Sequence, residues 1–600
     1  MRVQSCLALS AALLAGGPAF ATVYDVSPAV TEGYTAKNLI LTAKNAATQK
    51  GDVIRLAPGT YAYDSNSGDG GLSIKPGVTL MGTSDNPSDV IIIRTKVGTN
   101  DRVVNLGQNA VLRNVTVRGG YTDYQAACVL GFDTAVHKIF LVSNCIVEGG
   151  SAKYKGGGSF GGTWRNCIIR NCTVRNPSST DKEEGSGGAV WGGTLYNCTI
   201  TNNTACYAGG GLSGNTTDPC VAYNCTLAYN TAPYGSGAGA NTTYRPESVR
   251  LYNCNVVSND GHNASGQAWG GKGGGTCNCW VTNSLIAWNK TRTDNGEKGI
   301  GGGAGVFYGK VYNSTIQGNY TTKYGSNATV DGGGAESAYL ENCRILGNSS
   351  VRYAGGTLSC TNVNCLIAGN SGTGGGGTFQ GLNIGCVISN NTANLIQGGA
   401  CYNSDTINCR IVDNKTSNNL GALCRGHHQG DLIAFNECSP NKGEGGSALQ
   451  PQTGSDADCW AINCTIYGNK GGTCQAFASH TTNCIFTTSA MGVTDVDACE
   501  MINCFYGSKS ARTSVGTNCI QGNDPGFVGA AAKDGEDFFS LKFESPCVDA
   551  GLNQPWMLAA TDILGHARIF KHAKVPGQPR TVDIGAFECQ WKPGLLMMFR

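Results

Sequence analysis

The residues of this chain with the most direct chemical potential sit close together at Arg425, His427, His428 and Asp431. A guanidinium, two imidazoles and a carboxylate in one short stretch could hold an anion and pass protons near neutral pH. The plainer reading, ordinary strand and turn residues, competes with it. Tyr196, Tyr223, Tyr252 and Tyr312 recur at a common position. A row of aromatic faces suits the apolar CH faces of sugar rings; it also stabilises the surface of a sheet by cross-strand pairing alone. The 29 cysteines could be metal ligands, a disulfide framework or small core residues. Which chemistry is open to each residue depends on the element that carries it.

That element is a repeat. Leu195-Tyr196-Asn197-Cys198-Thr199-Ile200 is closed by Asn202 and followed, after a polar spacer, by Gly209-Gly210-Gly211. Its cysteine position returns as Cys145, Cys167, Cys198, Cys225, Cys254, Cys343, Cys365, Cys386, Cys409, Cys464, Cys484 and Cys504, with Ser284 and Ser314 in the same place. Intervals run from 20 to 31 residues, apart from one double interval of 55 that spans a degraded copy at Gly430-Asp431-Leu432-Ile433. Periods of this length mark a solenoid. Alternation puts Cys198 and Ile200 inward, and Tyr196 and Thr199 outward, provided the chain bends at Asn197. Asparagine is the non-glycine residue that best tolerates the left-handed backbone of such a bend. Asn202 and its equivalents Asn171, Asn230, Asn259, Asn289, Asn319, Asn348, Asn370 and Asn414 are expected to end the strand.

Strand, bend, strand, turn, glycines and strand predict an all-β chain. The architecture is a parallel β-helix of about 17 coils with three strands per coil, some 80 Å long at ~4.8 Å per coil. Residues 1–21 read as a secretory signal, with Arg2, an apolar run from Cys6 to Ala15, and Ala19-Phe20-Ala21 before the cleavage point. Residues 22–71 form an N-terminal cap and first strand, with helical spacing over 36–47; 72–520 are the repeats; 521–590 form a small C-terminal closing domain; 591–600 are a short tail. Coils between 167 and 343 carry insertions at 176–186, 260–272, 290–300 and 320–331, and insertions at one phase project from one side. No stretch after the signal reaches the roughly 18 apolar residues of a membrane helix. The expectation is an exported protein, extracellular or associated with the outer membrane of a bacterium. A net charge of +2 offers no bulk field for nucleic acid.

The cysteines on the ladder read as small buried hydrophobes with free thiols. Parallel stacked side chains stand slightly too far apart for disulfides, and Ser284 and Ser314 show that a small side chain suffices. Cys206, Cys220, Cys277 and Cys279 lie off the ladder and are candidates for loop bridges. Cys277-x-Cys279 lacks the partner spacing of a zinc site, so no metal is expected.

After the coils come Ser545-Pro546-Cys547-Val548-Asp549-Ala550-Gly551, then Asp562-Ile563-Leu564-Gly565-His566-Ala567-Arg568 and Asp583-Ile584-Gly585-Ala586-Phe587-Glu588. With the Asn-Cys coils, these resemble a family of exported bacterial right-handed β-helix proteins of choice-of-anchor type, which close on S-P-x-x-D-A-G, D-x-x-G-x-x-R and D-I-G-A-x-E. The coils also resemble those of polymorphic outer-membrane proteins and pectate lyases. The resemblance implies surface or secreted placement. For Asp549, Asp562, Arg568, Asp583 and Glu588 the expectation is charge pairing that closes the last coil. Pectin hydrolases of this fold carry paired aspartates and a Gly-His-Gly, and neither is present. Lyases hold Ca²⁺ in a carboxylate cluster beside a Lys or Arg base, and no acidic ladder runs along the outward positions of the element.

The sequence therefore favours non-catalytic adhesion or glycan binding, with a polysaccharide or host-surface glycan as partner, no nucleic acid and no cofactor. The alternative is a polysaccharide lyase or glycoside hydrolase acting on uronate-containing, pectin-like glycans, with Ca²⁺ in the lyase case. A structural envelope component is the third reading. Carboxylates converging with a Lys or Arg on one groove would favour the enzyme.

Overall fold

A computed structural model describes residues 21–28, 39, 42–43, 49–63, 72–95, 100–131, 139–175, 184–242, 246–263, 271–293, 300–323, 329–395, 398–417, 421–439, 445–451, 459–488, 493–529, 538–569 and 579–590. The chain is a right-handed parallel β-helix, the hand that crossovers between twisted parallel strands adopt. Three parallel sheets of 20, 19 and 17 strands run its length. A short ladder of nine strands, resumed by one of four, occupies the corner between the second and third sheets. One coil shows the order. Gly193–Tyr196 lies in the first sheet, Thr199–Thr201 in the second, Thr204–Ala205 in the corner ladder and Leu212–Gly214 in the third sheet.

Bends separate the strands, and left-handed residues make them. Asn197 has φ 52°, and its equivalents Asn144, Asn166, Asn224, Asn253, Asn283, Asn313 and Asn342 share that conformation. Leu195 and Ile200 consequently both point inward and are fully buried. At the entrance to the third sheet Gly209 has φ 60°. Beside it, a β-carbon on Gly210 would stand 2.5 Å from the Thr231 carbonyl oxygen of the next coil. The glycine run lets neighbouring backbones touch.

The ladder cysteines are buried, and all described cysteines, Cys206, Cys220, Cys277 and Cys279 included, are unbridged thiols. Cys220 and Cys279 stand two coils apart on one inner column with Val249 between them, which explains why these two do not pair. The ladder thiols do more than fill space. Cys225 donates to the Tyr223 carbonyl at 3.2 Å and accepts the Cys198 backbone N–H at 3.4 Å. Ser284 makes the same two bonds, to Thr282 and from Cys254. Asp431 fills the position in its coil and accepts the Cys409 N–H at 2.7 Å. In these coils the residue supplies an acceptor for a buried N–H, which a purely apolar side chain does not do.

A second ladder runs along the other corner. Asn203, Asn230, Asn259, Asn289, Asn319, Asn348, Asn370, Asn391, Asn414, Asn436 and Asn469 are all fully buried. Each amide donates to the Oδ1 of the next, as Asn259 does to Asn289 at 2.9 Å. It also donates to a backbone carbonyl behind it, as Asn289 does to Val256 at 2.8 Å. The run ends on Gln475, whose amide donates to Asp495 at 3.1 Å. Asn171 and Asn202 follow the last residue of their strands, as expected, but as left-handed residues one position before the ladder; Cys172 and Asn203 occupy the inward position. The shift is one residue because the bend and the ladder are adjacent in sequence.

At the N-terminal end, Leu39 and Ala43 are buried in the core. The rest of the expected capping helix, residues 1–20 and 591–600, and most of the insertion tips (176–183, 264–270, 294–299 and 324–328) lie outside the described residues. The C-terminal segment closes the rod from its flank. Bend residues Asn408, Asn463, Asn483 and Asn503 donate to the carbonyls of Thr561, Asp583, Leu552 and Ala550 at 3.0–3.2 Å. Phe527, Phe538, Phe539 and Phe587 cover Leu432, Phe435 and Tyr467 on the outside of the second sheet.

Candidate functional site

The structure separates the first set of candidates. His427 points outward, its ring 3.3 Å from Asp405 and largely exposed. His428, the next residue on a strand, necessarily faces the opposite way and is buried in the lumen, where its Nδ1 meets the Thr406 hydroxyl at 2.7 Å. Asp431 is buried beside it and accepts the same hydroxyl. Burial drives both toward their neutral forms: His428 falls to about 4 and Asp431 rises to about 7. Arg425 sits at a left-handed bend between the third and first sheets, beside Tyr402. Strand alternation thus places the four groups of the sequence cluster in three environments, as ordinary strand and turn residues would be.

Asp549, Asp562, Arg568, Asp583 and Glu588 do come together. Arg568 is fully buried, donates to the Gly585 carbonyl at 3.1 Å and lies 3.5 Å from Glu588. Asp583 accepts the backbone N–H groups of Asp549 and Cys589, and Asp562 accepts that of Glu588. Their bonding is directed at the backbone of the closing segment, as a structural lock requires.

The tyrosines build a surface. Register along the first sheet sets Arg165, Tyr196, Tyr223, Tyr252, Thr282, Tyr312 and Glu341 on one outward row. Tyr196 stacks on Tyr223 with centroids 5.1 Å apart and planes within 8°, and Tyr223 on Tyr252 at 5.0 Å and 12°. Those spacings are the strand spacing itself, so the sheet dictates the stack. Thr282 interrupts it before Tyr312, so the four tyrosines are a triplet and a single ring.

A second row, two residues earlier on each strand, fills the gap. Thr194, Val221, Arg250, Trp280, Lys310 and Tyr339 lie on consecutive strands. Trp280 carries a cation on each side, Arg250 at 5.4 Å and Lys310 at 5.3 Å from its ring. Arg165 stands 4.9 Å over Tyr196 at the start of the stack, and Tyr339 lies 6.0 Å from Tyr312 at the far end. Attraction between a cation and a ring face orders these long side chains. The result is a two-row face of six aromatic rings with Arg165, Arg250 and Lys310 among them. Sequence reading found one row and missed the other, although its signal was present: these residues sit three positions before each bend asparagine.

The same two rows continue toward the C-terminal end with other side chains. His427, Trp460, His480 and Glu500 succeed one another on the second row. There Trp460 stacks on His480 at 4.2 Å, and His480 meets Glu500 at 2.9 Å. Among the described residues no group of three or more His, Cys, Asp or Glu side chains could hold a metal ion, and no helix is long and apolar enough to cross a membrane.

No protein-family model matches this chain, and no curated protein matches it. Solved structures similar to it include a mannuronic acid specific polysaccharide family 6 lyase from human gut microbiota, at 9% identity and TM-score 0.25 over 77% of this chain and 86% of that one. The A-module of an Azotobacter vinelandii mannuronan C-5 epimerase is similar at 12% identity and TM-score 0.26, over 71% and 96% of the two chains. Pectate lyase Pel9A is similar at 12% identity and TM-score 0.17, over 95% and 97%.

Proposed function

We propose that this protein is an exported glycan-binding rod that takes an acidic polysaccharide along the outer face of its first sheet. The observation that carries the reading is the stack of Tyr196, Tyr223 and Tyr252, continued by Trp280 and flanked by Arg165, Arg250 and Lys310. Rings stacked on one another by the sheet present their edges and hydroxyls in a fixed row, so little conformational freedom is lost on binding. Cations among the rings suit carboxylate or sulfate substituents, and Arg in particular pairs with carboxylates in two-point fashion. The signal-like N-terminus supports a surface or secreted location, which suits adhesion to a host or neighbouring cell.

The test is retention of the mature protein on immobilised uronate-containing polysaccharides, compared with neutral glucans. Wild type should bind the acidic polymers, and binding should weaken as salt rises. The Tyr196→Ala, Tyr223→Ala, Tyr252→Ala triple variant should lose it. Equal binding of the triple variant, or no binding to any polymer, would discard this face as the site.

A further inference from the structure

The outer face of the first sheet does not end with the tyrosines. Its second row runs on from Lys310 and Tyr339 through Thr361 and Leu382 to Asp405. Asp405 precedes His427 on that row, because the next residues, Thr406 and His428, are register partners. Trp460, His480 and Glu500 follow on consecutive strands. The order is acid, imidazole, indole, imidazole, acid. The neighbouring outward row carries Ile407, Gln429, Ile462, Thr482 and Ile502, none of them charged. Four strand steps separate Lys310 from Asp405, about 20 Å at the strand spacing.

Each histidine is tied to the acid at its end of the row. His427 Nδ1 lies 3.3 Å from an Asp405 oxygen that also accepts the His427 backbone N–H at 2.9 Å. His480 Nδ1 lies 2.9 Å from Glu500. A carboxylate on the Nδ1 side holds the proton of the neutral ring there. The proton gained on acidification therefore goes to Nε2, on the far side of the ring. Trp460 stacks on His480 with centroids 4.2 Å apart and planes within 20°, and an indole face favours a cation above it. Asp405, His427 and Glu500 are more than half exposed, and Trp460 and His480 about a third.

Histidine is the side chain whose charge changes between about pH 5 and 8, while carboxylates stay ionised across that range. With both rings neutral, the row presents the two negative charges of Asp405 and Glu500. With both rings protonated, the charges cancel and two Nε2–H donors are added. Other charged groups nearby do not change over this range. Arg425, just before the His427 strand, lies at the bend beside Tyr402 and is a permanent cation. His428 faces the lumen, where burial keeps it neutral. Arg568 is buried at the corner beyond Gln429, against Gly430, and pairs with Glu588.

We propose that Asp405, His427, Trp460, His480 and Glu500 form a pH-gated extension of the glycan face, which repels an acidic polysaccharide at neutral pH and holds it once both histidines are protonated. The inference rests on the glycan reading for its ligand. A chain seated along Tyr196, Tyr223, Tyr252 and Trp280 meets the permanent cations Arg165, Arg250 and Lys310. To continue toward the C-terminal end it must pass Asp405. It gains contacts there only when His427 and His480 offset the two carboxylates. Grip on a long acidic chain therefore tightens as pH falls, while an oligosaccharide that ends before Asp405 is indifferent to the change.

The experiment measures retention of the mature protein on immobilised uronate-containing polymer at about pH 7.5 and about pH 5, the two sides of imidazole titration. Wild type should be held about fivefold more tightly at the acid pH, the size expected of two exposed charge contacts, and the step should shrink as salt rises. A soluble uronate oligosaccharide too short to reach Asp405 should show no step. His427→Gln combined with His480→Gln should lose it. Asp405→Asn combined with Glu500→Gln should bind more tightly than wild type at neutral pH, a gain that damage to folding cannot produce. Equal retention of wild type at both pH values, an undiminished step in the double histidine variant, or no gain in the double acid variant would overturn the gate and leave the glycan face standing. No retention at either pH would instead remove the glycan face, and the gate with it.

Discussion

Replacing Asn289 by alanine cuts the buried amide ladder in the middle of the rod. In the native protein the Asn289 oxygen accepts the Asn259 backbone N–H at 3.0 Å and the Asn259 amide at 2.9 Å. Its own amide donates to the Val256 carbonyl at 2.8 Å and to Asn319 at 2.9 Å. Alanine leaves two donors on Asn259 facing a void with no acceptor. Each buried orphan costs about 1–3 kcal/mol, and the two acceptors that lose a partner add less, because Asn319 still accepts the backbone N–H of residue 289. The expected loss is therefore about 3–5 kcal/mol. A solenoid can open one segment at a time, so a single global melt under-reports such damage. Native-state hydrogen exchange reads it directly, with the Asn259 amide losing the most protection. The paired control is Asn283→Gly, six residues earlier at a bend with φ 50°, where glycine adopts the same backbone and the cost should stay below about 1 kcal/mol. If Asn289→Ala costs less than the glycine control, or if exchange at Asn259 is unchanged, the ladder is not what holds these coils in register.

Further outcomes follow from the same geometry. Cys225→Ser should be nearly neutral, because Ser284 and Ser314 already fill that position; Cys225→Ala should cost about 1–3 kcal/mol by orphaning the Cys198 N–H, read by denaturant titration. Tyr223→Ala, the middle ring of the stack, should weaken polysaccharide binding by about tenfold with no change in far-ultraviolet circular dichroism. Asp431 has a folded pKa raised from 3.8 to about 7, so its stabilising contribution is full below pH ~4 and is lost as pH rises through 7. Asp431→Asn should remove that slope and be the more stable protein at pH 8, by up to about 4 kcal/mol at 1.36 kcal/mol per unit. His428, held neutral with a pKa near 4, supplies the opposite slope: its contribution falls as pH drops from 6.5 toward 4, and it should survive in the Asp431→Asn variant. Stability measured at pH 4, 6 and 8 checks both signs.

Much of the architecture is legible in the repeat. Asn197 and its equivalents announce a left-handed bend because few other residues tolerate one, and the bend sets which of Tyr196, Cys198 and Thr199 face outward. The period identifies stacked coils, and the glycine run identifies a place where backbones touch. Local chemistry is enough for these, since each depends on one residue and its immediate neighbours. What the ladder cysteines do was only half legible. Small size and burial are read from the pattern; the bond from Cys225 to the Cys198 N–H crosses between coils and has no signature within one repeat. The buried amide ladder was not legible for a similar reason, because adjacent residues such as Asn202 and Asn203 serve strand end and ladder in turn.

The candidate sites show the same division more sharply. Tyr196, Tyr223 and Tyr252 could be placed on one face from sequence, and Arg250, Trp280 and Lys310 stand at a fixed offset from the bend asparagines, but only the structure shows both cations against the Trp280 ring. Arg425, His427, His428 and Asp431 looked like a constellation because they are close in the chain, and strand alternation sends His427 and His428 to opposite sides of a sheet. In a solenoid the sequence by itself determines the coil, since strands, bends and inward positions follow from local backbone preference and period. Only the tertiary structure decides which side chains touch across coils, because those contacts join residues far apart in the chain and depend on side-chain conformation.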